Sequence, residues 1–277
     1  IFVSTASGIG GFGGDAFGAS PPITTLRGVY RSTNATSSSP DFSKLTLNNQ
    51  GSVAPDVTGN RIINDIVYEP SDTTGNTILC WQYGSVATGD GGVWRTVNAK
   101  SSTPTFTQTF TAAASLRGSF ATTFANNTST IIMASGENST VTGCTTSGGV
   151  LRRSTNGGVT WSSALAGGNG FCGAQCWYDI PVAVSPTDPN VILIGGAGNS
   201  TCSRVYTRST DGGATFAGAG VADIGLHADA HCIMFAPSNP SIVYEANDGG
   251  IFKSTDGGAT WASVNNGISA SQYMSIA

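Results

Sequence analysis

The stretch STDGGATW, residues 254–261, recurs along this chain and decides its fold class. The same pattern reads STDGGATF at 209–216 and STNGGVTW at 154–161. A short motif that returns at near-even spacing marks repeated units of structure. We therefore expect a chain built from repeats.

Each copy closes a longer unit of four short apolar runs, which are bounded by Gly, Pro, Asn and Asp. Nothing in the chain has the periodicity of an amphipathic helix, and four-stranded repeats without helices are typical of propeller blades. A β-sandwich is the alternative, but it does not explain the repeat. We predict one all-β domain, a β-propeller of four-stranded antiparallel blades at residues 1–50, 61–112, 118–165, 179–219 and 230–266. The third strands of these blades contain Tyr30, Trp94, Leu151, Tyr206 and Phe252, which lie 46 to 64 residues apart.

The sequences at the two ends of the chain each predict a blade that lacks strands, and the missing strands are complementary. The N-terminal IFVSTAS has the pattern of a second strand without a first, and the C-terminal SQYMSIA that of a first strand without a second. We expect residues 270–277 to close the ring by pairing with the N-terminal blade. Pairing with a neighbouring copy, which would build a filament, and removal of further blades are the alternatives. Because the chain has neither an initiator Met nor a signal peptide, we expect a processed or truncated piece of a longer protein.

The S-x-D-x-G-x-T-W pattern resembles the Asp-box, or BNR repeat, of sialidases, sortilin-type receptors and xyloglucanase-like glycoside hydrolases. In such a hairpin the Asp can accept hydrogen bonds from turn amides, and the closing aromatic packs back onto its own sheet. The resemblance implies a structural role at the blade periphery, with the aromatics buried. The first two units, STNATSSSPDF and TVNAKSSTPTF, keep the position but lose Asp and Gly. The Asp-box residues are Ser154, Asn156, Gly158, Trp161, Ser209, Asp211, Gly213, Phe216, Ser254, Asp256, Gly258 and Trp261.

Composition excludes two function classes. Only 10% of the residues are charged, the net charge is -4, and no Lys/Arg cluster offers a surface for nucleic acid. No apolar run approaches the roughly 20 residues that cross a bilayer. The abundance of Ser, Thr and Asn indicates a secreted or cell-surface protein. Candidate glycosylation sites are Asn34, Asn126, Asn127, Asn138 and Asn199.

One face of the predicted propeller collects the candidate ligand-binding residues. Loops after second strands and between blades share this face, and the run HADAH holds both histidines of the chain. That run can bind a metal, anchor a sugar or form a hydrogen-bonded loop; because no further ligand lies nearby, we expect the loop, no metal and no cofactor. The candidates for ligand binding are His227, Asp229, His231, Asp90, Asp179 and Trp177, and those for a metal are His227, Asp229 and His231.

Two classes of function compete. The resemblance to xyloglucanase-like enzymes implies a pair of acidic residues across a cleft, for which Asp65 and Asp248 are the candidates. No sialidase-type opening or arginine triad is marked. Because the chain offers no clear acidic pair, we favour a non-catalytic module that binds carbohydrate or an extracellular protein, or that assembles with itself. A glycoside hydrolase of xyloglucanase-like type is the alternative.

The six cysteines predict two disulfides. Cys144, Cys172, Cys176 and Cys202 fall on the same face of neighbouring predicted blades. We predict the bridges Cys144–Cys172 and Cys176–Cys202, with Cys80 and Cys232 buried and reduced. A zinc site at Cys172 and Cys176 is the alternative, but no His lies nearby.

Overall fold

The computed structural model describes residues 1–5, 28–47, 62–83, 89–112, 116–140, 142, 147–198, 204–217 and 225–268. In these ranges the only helical element is the 3-10 turn Ala166–Gly168. The strands are β1 Phe2–Thr5, β2 Gly28–Arg31, β3 Ser43–Leu45, β4 Ile62–Tyr68, β5 Ile78–Tyr83, β6 Gly92–Thr96, β7 Thr107–Thr111, β8 Gly118–Ala125, β9 Thr128–Asn138, β10 Gly148–Ser154, β11 Val182–Val184, β12 Ile192–Gly195, β13 Tyr206–Ser209, β14 Ala230–Ala236, β15 Asn239–Asn247, β16 Gly250–Ser254 and β17 Ala262–Ser263.

These strands form five sheets, each from strands that are consecutive in sequence. The sheets are β1–β3, β4–β7, β8–β10, β11–β13 and β14–β17. All strand pairs in the first, second, fourth and fifth sheets are antiparallel. The prediction of an all-β chain of consecutive small sheets is confirmed, and this architecture is consistent with a β-propeller. The number of blades and the closure of a ring stay predictions, since residues 270–277 lie outside the described residues.

The chain divides into two compact units. The first comprises residues 1–122, 128–131 and 154–161, and the second comprises residues 123–127, 132–153 and 162–277. The core of the first unit includes Val29, Ile63, Ile78, Trp94 and Phe106. The core of the second includes Leu193, Val205, Tyr206, Ile233 and Val243. Burial of these side chains supplies the main stabilisation of each unit.

The three S-x-[DN]-G-G hairpins share one hydrogen-bond pattern. In the hairpin after β16, Ser254 Oγ accepts from the amide of Gly258 at 2.8 Å and donates to Asp256 Oδ1 at 2.7 Å. The same Oδ1 accepts from the amide of Thr260 at 2.8 Å, and Oδ2 accepts from its hydroxyl at 2.6 Å. The hairpin after β13 has the same bonds around Asp211, and in the hairpin after β10 the amide side chain of Asn156 replaces the carboxylate.

The two degenerate units keep this acceptor although they lack the aspartate. Asn98 Oδ1 accepts from Thr96 Oγ1 at 2.8 Å and from the amide of Thr105 at 2.9 Å. Asn34 Oδ1 likewise accepts from Ser32 Oγ at 3.0 Å and from the amide of Asp41 at 2.9 Å. An asparagine therefore closes a longer loop where the first two units lack the glycines.

The aromatics that close the hairpins are only partly buried, which corrects the expectation of full burial against their own sheets. Trp261 packs edge-on against Tyr206 of β13, a strand of the preceding sheet, with ring centroids 5.1 Å apart. Trp161 stacks on Phe120 of its own sheet at 6.3 Å. Phe216 is also partly exposed. All three aromatic side chains thus remain partly accessible to solvent.

In each of the five repeats a basic side chain lies immediately before the Ser or Thr that begins the hairpin, and in the first four repeats it contacts the following repeat. Arg31 donates to the carbonyl oxygens of Ala99 and Ser101, Arg95 to that of Gly157 at 2.7 Å, and Arg208 to that of Gly257 at 3.0 Å. Arg153 contacts Asn190 Oδ1 at 3.5 Å, and Lys253 in the fifth sheet lies 5.8 Å from the ring of Tyr244. We call these four arginines the arginine row.

The cysteine prediction is wrong in two respects. Cys172 and Cys176 are bonded to each other, with their Cα atoms 5.0 Å apart, because the chain between them folds into a tight turn. The predicted bridges to Cys144 and Cys202, which lie outside the described residues, are therefore not formed. Cys80 is buried and free as predicted, but Cys232 is free and exposed. The pairing of β14 with β15 has a register shift between Ala230 and Cys232, directly before that thiol.

Candidate functional site

The loop between the third and fourth sheets is organised around Gln175. The disulfide Cys172–Cys176 closes a turn in which the amide of Gln175 donates to the carbonyl of Cys172 at 3.0 Å. The carbonyl of Gln175 in turn accepts from the amides of Tyr178 at 2.8 Å and Asp179 at 2.9 Å. Backbone hydrogen bonds thus fix the positions of Gln175, Tyr178 and Asp179 relative to the disulfide.

His231 is the second residue of β14, and its imidazole ring lies between two carboxylates. Its Nε2 lies 2.6 Å from Asp248 Oδ1, and its Nδ1 lies 3.4 Å from Asp179 Oδ1. Asp179 is fully buried, whereas the side chains of His231 and Asp248 are 30% and 42% exposed. The imidazole of His231 therefore connects the buried carboxylate of Asp179 with the accessible carboxylate of Asp248.

Gln175 links this group to Asp229. Its Nε2 donates to Asp229 Oδ1 at 2.6 Å and to Asp179 Oδ2 at 3.3 Å. The backbone of Asp229 has φ of 62°, an unusual conformation for a residue other than glycine. One side-chain amide thus orients two of the three carboxylates.

An aromatic platform adjoins the polar group. Trp177 is 56% exposed, and its ring stacks on that of Tyr178 with centroids 5.3 Å apart. The Tyr178 ring meets the imidazole of His231 edge-on at 4.6 Å. We call the residues Trp177, Tyr178, Asp179, Asp229, His231 and Asp248 the Trp177 surface.

Five of the predicted site residues lie on this surface: Trp177, Asp179, Asp229, His231 and Asp248. His227 does not contact the carboxylates: its Cβ lies against Gly249, and its Nδ1 is 3.1 Å from the carbonyl of Ala228. Among the described residues no group of three or more His, Cys, Asp and Glu has the arrangement of a metal site.

Asp65 and Asp90 belong to the first unit and have structural contacts there. Asp65 Oδ2 accepts from the amide of Phe120 at 2.7 Å, and Oδ1 from that of Ile66 at 2.8 Å. Burial raises the pKa of Asp65. Asp90 is buried, and its carbonyl accepts from the side chains of Gln82 and Trp94 at 2.9 Å each. Asp65 thus ties β4 to β8, and the Asp90 backbone ties β5 to β6.

The sequence reasoning missed two polar residues of the second unit. The one sequence signal for Gln175 is its position between Cys172 and Cys176, shortly before the run Trp177-Tyr178-Asp179. Glu245 on β15 is fully buried, and burial raises its pKa to about 8, although Asn247 Nδ2 donates to it at 2.8 Å. Its second oxygen, Oε1, has no hydrogen-bond partner in the described part of the chain.

The candidate glycosylation sites differ in their contacts. Asn126 and Asn127 form the exposed turn between β8 and β9, and Asn138 is exposed at the end of β9. Asn34 is engaged in its hairpin, where its Nδ2 also donates to Asp41 at 3.3 Å. Asn199 lies outside the described residues.

Comparison with known proteins relates the chain to glycoside hydrolases by fold alone. No protein-family model matches it, and no curated protein matches it significantly. Among solved structures, a GH74 enzyme of Niastella koreensis matches with 20% identity and a TM-score of 0.55, over 85% of this chain and 35% of that one. A GH74 xyloglucanase of Xanthomonas campestris matches with 18% identity and a TM-score of 0.48, over 72% of this chain and 30% of that one. The chain thus spans about a third of the length of these enzymes.

No helix in the described ranges is long and apolar enough to cross a membrane.

Proposed function

We propose that this chain is an extracellular, non-catalytic carbohydrate-binding module whose ligand lies on the Trp177 surface. We place it among Asp-box β-propellers, with the five sheets as blades. The hairpin bonds around Asp211 and Asp256, and their asparagine counterparts in the other repeats, support this class. An extracellular protein partner and self-association through residues 270–277 stay predictions.

The exposed indole of Trp177 supports a sugar ligand. An aromatic plane that is half in water offers a large apolar face to the C–H side of a pyranose ring. Beside it, the carboxylates of Asp229 and Asp248 and the ring of His231 can bond sugar hydroxyls. A platform of this kind with a few convergent polar groups is typical of small-molecule sites.

The imidazole of His231 is the observation that favours binding over hydrolysis. A glycosidase needs two carboxyl groups about 5–10 Å apart with the scissile bond between them. Here the ring of His231 fills the space between Asp179 and Asp248 and contacts both. A substrate would have to displace that ring before it could lie between the two acids.

A glycoside hydrolase of xyloglucanase-like type is the second candidate. The observation that favours it is that Asp179 is buried whereas Asp248 is accessible. In glycosidase pairs such a difference in environment assigns one carboxyl group the role of acid and the other that of base. In that case Asp179 and Asp248 replace the predicted pair Asp65 and Asp248.

Affinity electrophoresis and calorimetry with xyloglucan, mixed-linkage β-glucan, mannan and chitin oligosaccharides test the proposal. We expect Trp177→Ala to weaken binding about 30-fold, as for the loss of a central aromatic anchor. Phe124→Ala is the control, because Phe124 is a similarly exposed aromatic (48%) of the same unit. Equal binding by Trp177→Ala, or no binding by the unaltered protein, contradicts the proposal. Release of reducing ends that Asp179→Asn and Asp248→Asn abolish establishes the hydrolase.

A further inference from the structure

The Cys172–Cys176 disulfide encloses the residue that positions the Trp177 surface. Gln175 lies inside the ring that the disulfide closes, and its carbonyl accepts from the amides of Tyr178 and Asp179. Its side chain bonds Asp179 and Asp229. One covalent ring therefore determines where an aromatic and two carboxylates of the surface lie.

The disulfide packs against backbone that leaves no spare room. A Cβ on Gly148 would lie 2.3 Å from Cys176 Sγ, and one on Gly149 would lie 3.0 Å from Cys172 Sγ. The same segment is bonded to the loop, since Gly148 N donates to Gly173 O at 2.7 Å and Gly170 N to Gly149 O at 2.7 Å. The two glycines at the start of β10 thus pack their backbone against both sulfur atoms of the disulfide.

We therefore expect reduction to move the loop. Two unbonded sulfur atoms separate to van der Waals contact, on the order of 3.5–4 Å. Because Gly148 and Gly149 abut both sulfurs, the separation displaces the turn that carries Gln175. The amide bonds of Tyr178 and Asp179 to Gln175 and the side-chain bonds to the carboxylates then lose their common anchor.

We propose that the Cys172–Cys176 disulfide is a redox-sensitive clamp on the Trp177 surface. A dithiol reductant transfers two electrons and two protons, so that the Cys172–Cys176 bond breaks, two thiols form, and the reductant becomes a cyclic disulfide. The oxidised clamp holds the surface in its binding geometry, and the reduced one releases it. The ligand part of this inference rests on the proposed function, whereas the movement of the loop does not.

Amide hydrogen exchange tests the clamp without a ligand. Peptide mapping first establishes the Cys172–Cys176 bond, and a different pairing overturns the proposal. A dithiol is then added to the Cys232→Ser variant, which lacks the exposed thiol, and alkylation of both cysteines verifies reduction. We expect exchange at Tyr178 and Asp179 to rise at least about ten-fold, as for local opening. The amide of Val191, which donates to Asp188 in the same unit, is the control and should not change.

Two exchange results overturn the clamp. Unchanged exchange at Tyr178 and Asp179 in the reduced protein means that the disulfide does not hold the loop. Lost protection at Val191 as well means that the bond supports the whole unit and is not a local device. The double variant Cys172→Ser/Cys176→Ser should reproduce the reduced state where it folds.

Glycan binding then separates the clamp from the proposed function. We expect reduction to weaken the binding of oligosaccharides about ten-fold, because the surface loses its preorganisation. Increased exchange with no binding in either form refutes the proposed function and leaves the clamp. Equal binding in both forms overturns the clamp and leaves the function. Gln175→Ala, which keeps the disulfide, should weaken binding while the amides of Tyr178 and Asp179 stay protected.

Discussion

At Gly258 a single added methyl group should destabilise the protein, because it would lie against a buried hydroxyl. A Cβ there would lie 2.3 Å from the oxygen of Tyr206 and 3.3 Å from both methyl groups of Leu193. That tyrosine oxygen donates to the carbonyl of Gly258 at 2.6 Å and is buried. The backbone of Gly258 also has φ of +88°, which favours glycine.

The expected loss of stability for Gly258→Ala has two parts. The left-handed conformation costs an alanine roughly 1–2 kcal/mol. Displacing the Tyr206 hydroxyl leaves a buried donor and a buried carbonyl without partners, which costs about 1–3 kcal/mol more. We therefore expect a decrease of about 2–5 kcal/mol in the free energy of unfolding.

Gly267→Ala is the matched control. Gly267 has φ of +84°, but no atom of the described residues lies within 4 Å of an added Cβ, so it should lose only the backbone part. Urea unfolding of both variants, and of Gly258→Ala in a Tyr206→Phe background, gives the coupling between the methyl group and the hydroxyl. We expect that coupling to exceed about 1 kcal/mol. Equal losses for the two glycine variants, or additive losses in the double variant, refute the steric argument.

Two further predictions concern pH. Hydrogen bonds from the Thr260 hydroxyl and amide lower the pKa of Asp256 from 3.8 to about 2. Its contribution to stability is therefore complete above pH 3.8 and is lost as the pH falls towards 2; Asp256→Asn should flatten acid unfolding in that range, and an unchanged acid profile contradicts this. Burial raises the pKa of Glu245 from 4.5 to about 8, so stability should fall as the pH rises between these values, by up to about 1.4 kcal/mol per pH unit. Glu245→Gln should remove that decline in thermal melts from pH 5 to 9, and a variant that still declines refutes the assignment.

The repeated sheets were predictable because their signals are local. Turn residues such as Gly213 and Asp211 and the short apolar runs around them act over a few positions, so a single sequence is enough to predict them. The acceptor role of Asn34 and Asn98 in the degenerate units was not predicted. In those loops the chain is longer between acceptor and donor, and loop length is not encoded in the motif.

The sequence marked five residues that lie together in the candidate site, but it did not indicate how they are arranged. HADAH and Trp177-Tyr178-Asp179 stand out as unusual runs, yet the contact of His231 with Asp179 and Asp248 joins three separate segments. The pairing of Cys172 failed for a related reason, since six cysteines allow 15 connectivities and spacing alone does not choose among them. The exposure of Cys232 was not predictable either, because β14 has a register shift directly before it, and a shift of one residue reverses which face a side chain occupies.

The arginine row gives the chain a direction. Each guanidinium reaches from one repeat to the next along the sequence, and burial lowers the pKa of Arg95 and Arg153, so these charges need their acceptors in place. Cutting the chain after a repeat leaves its arginine with no acceptor, whereas cutting before a repeat removes only a donor and leaves carbonyl groups that water can satisfy. Loss of repeats from the C-terminal side should therefore cost more than loss from the N-terminal side. Because each repeat contacts its neighbours, we expect unfolding to spread from one repeat to the next, and we expect the loss of a C-terminal repeat to start it more readily than the loss of an N-terminal one.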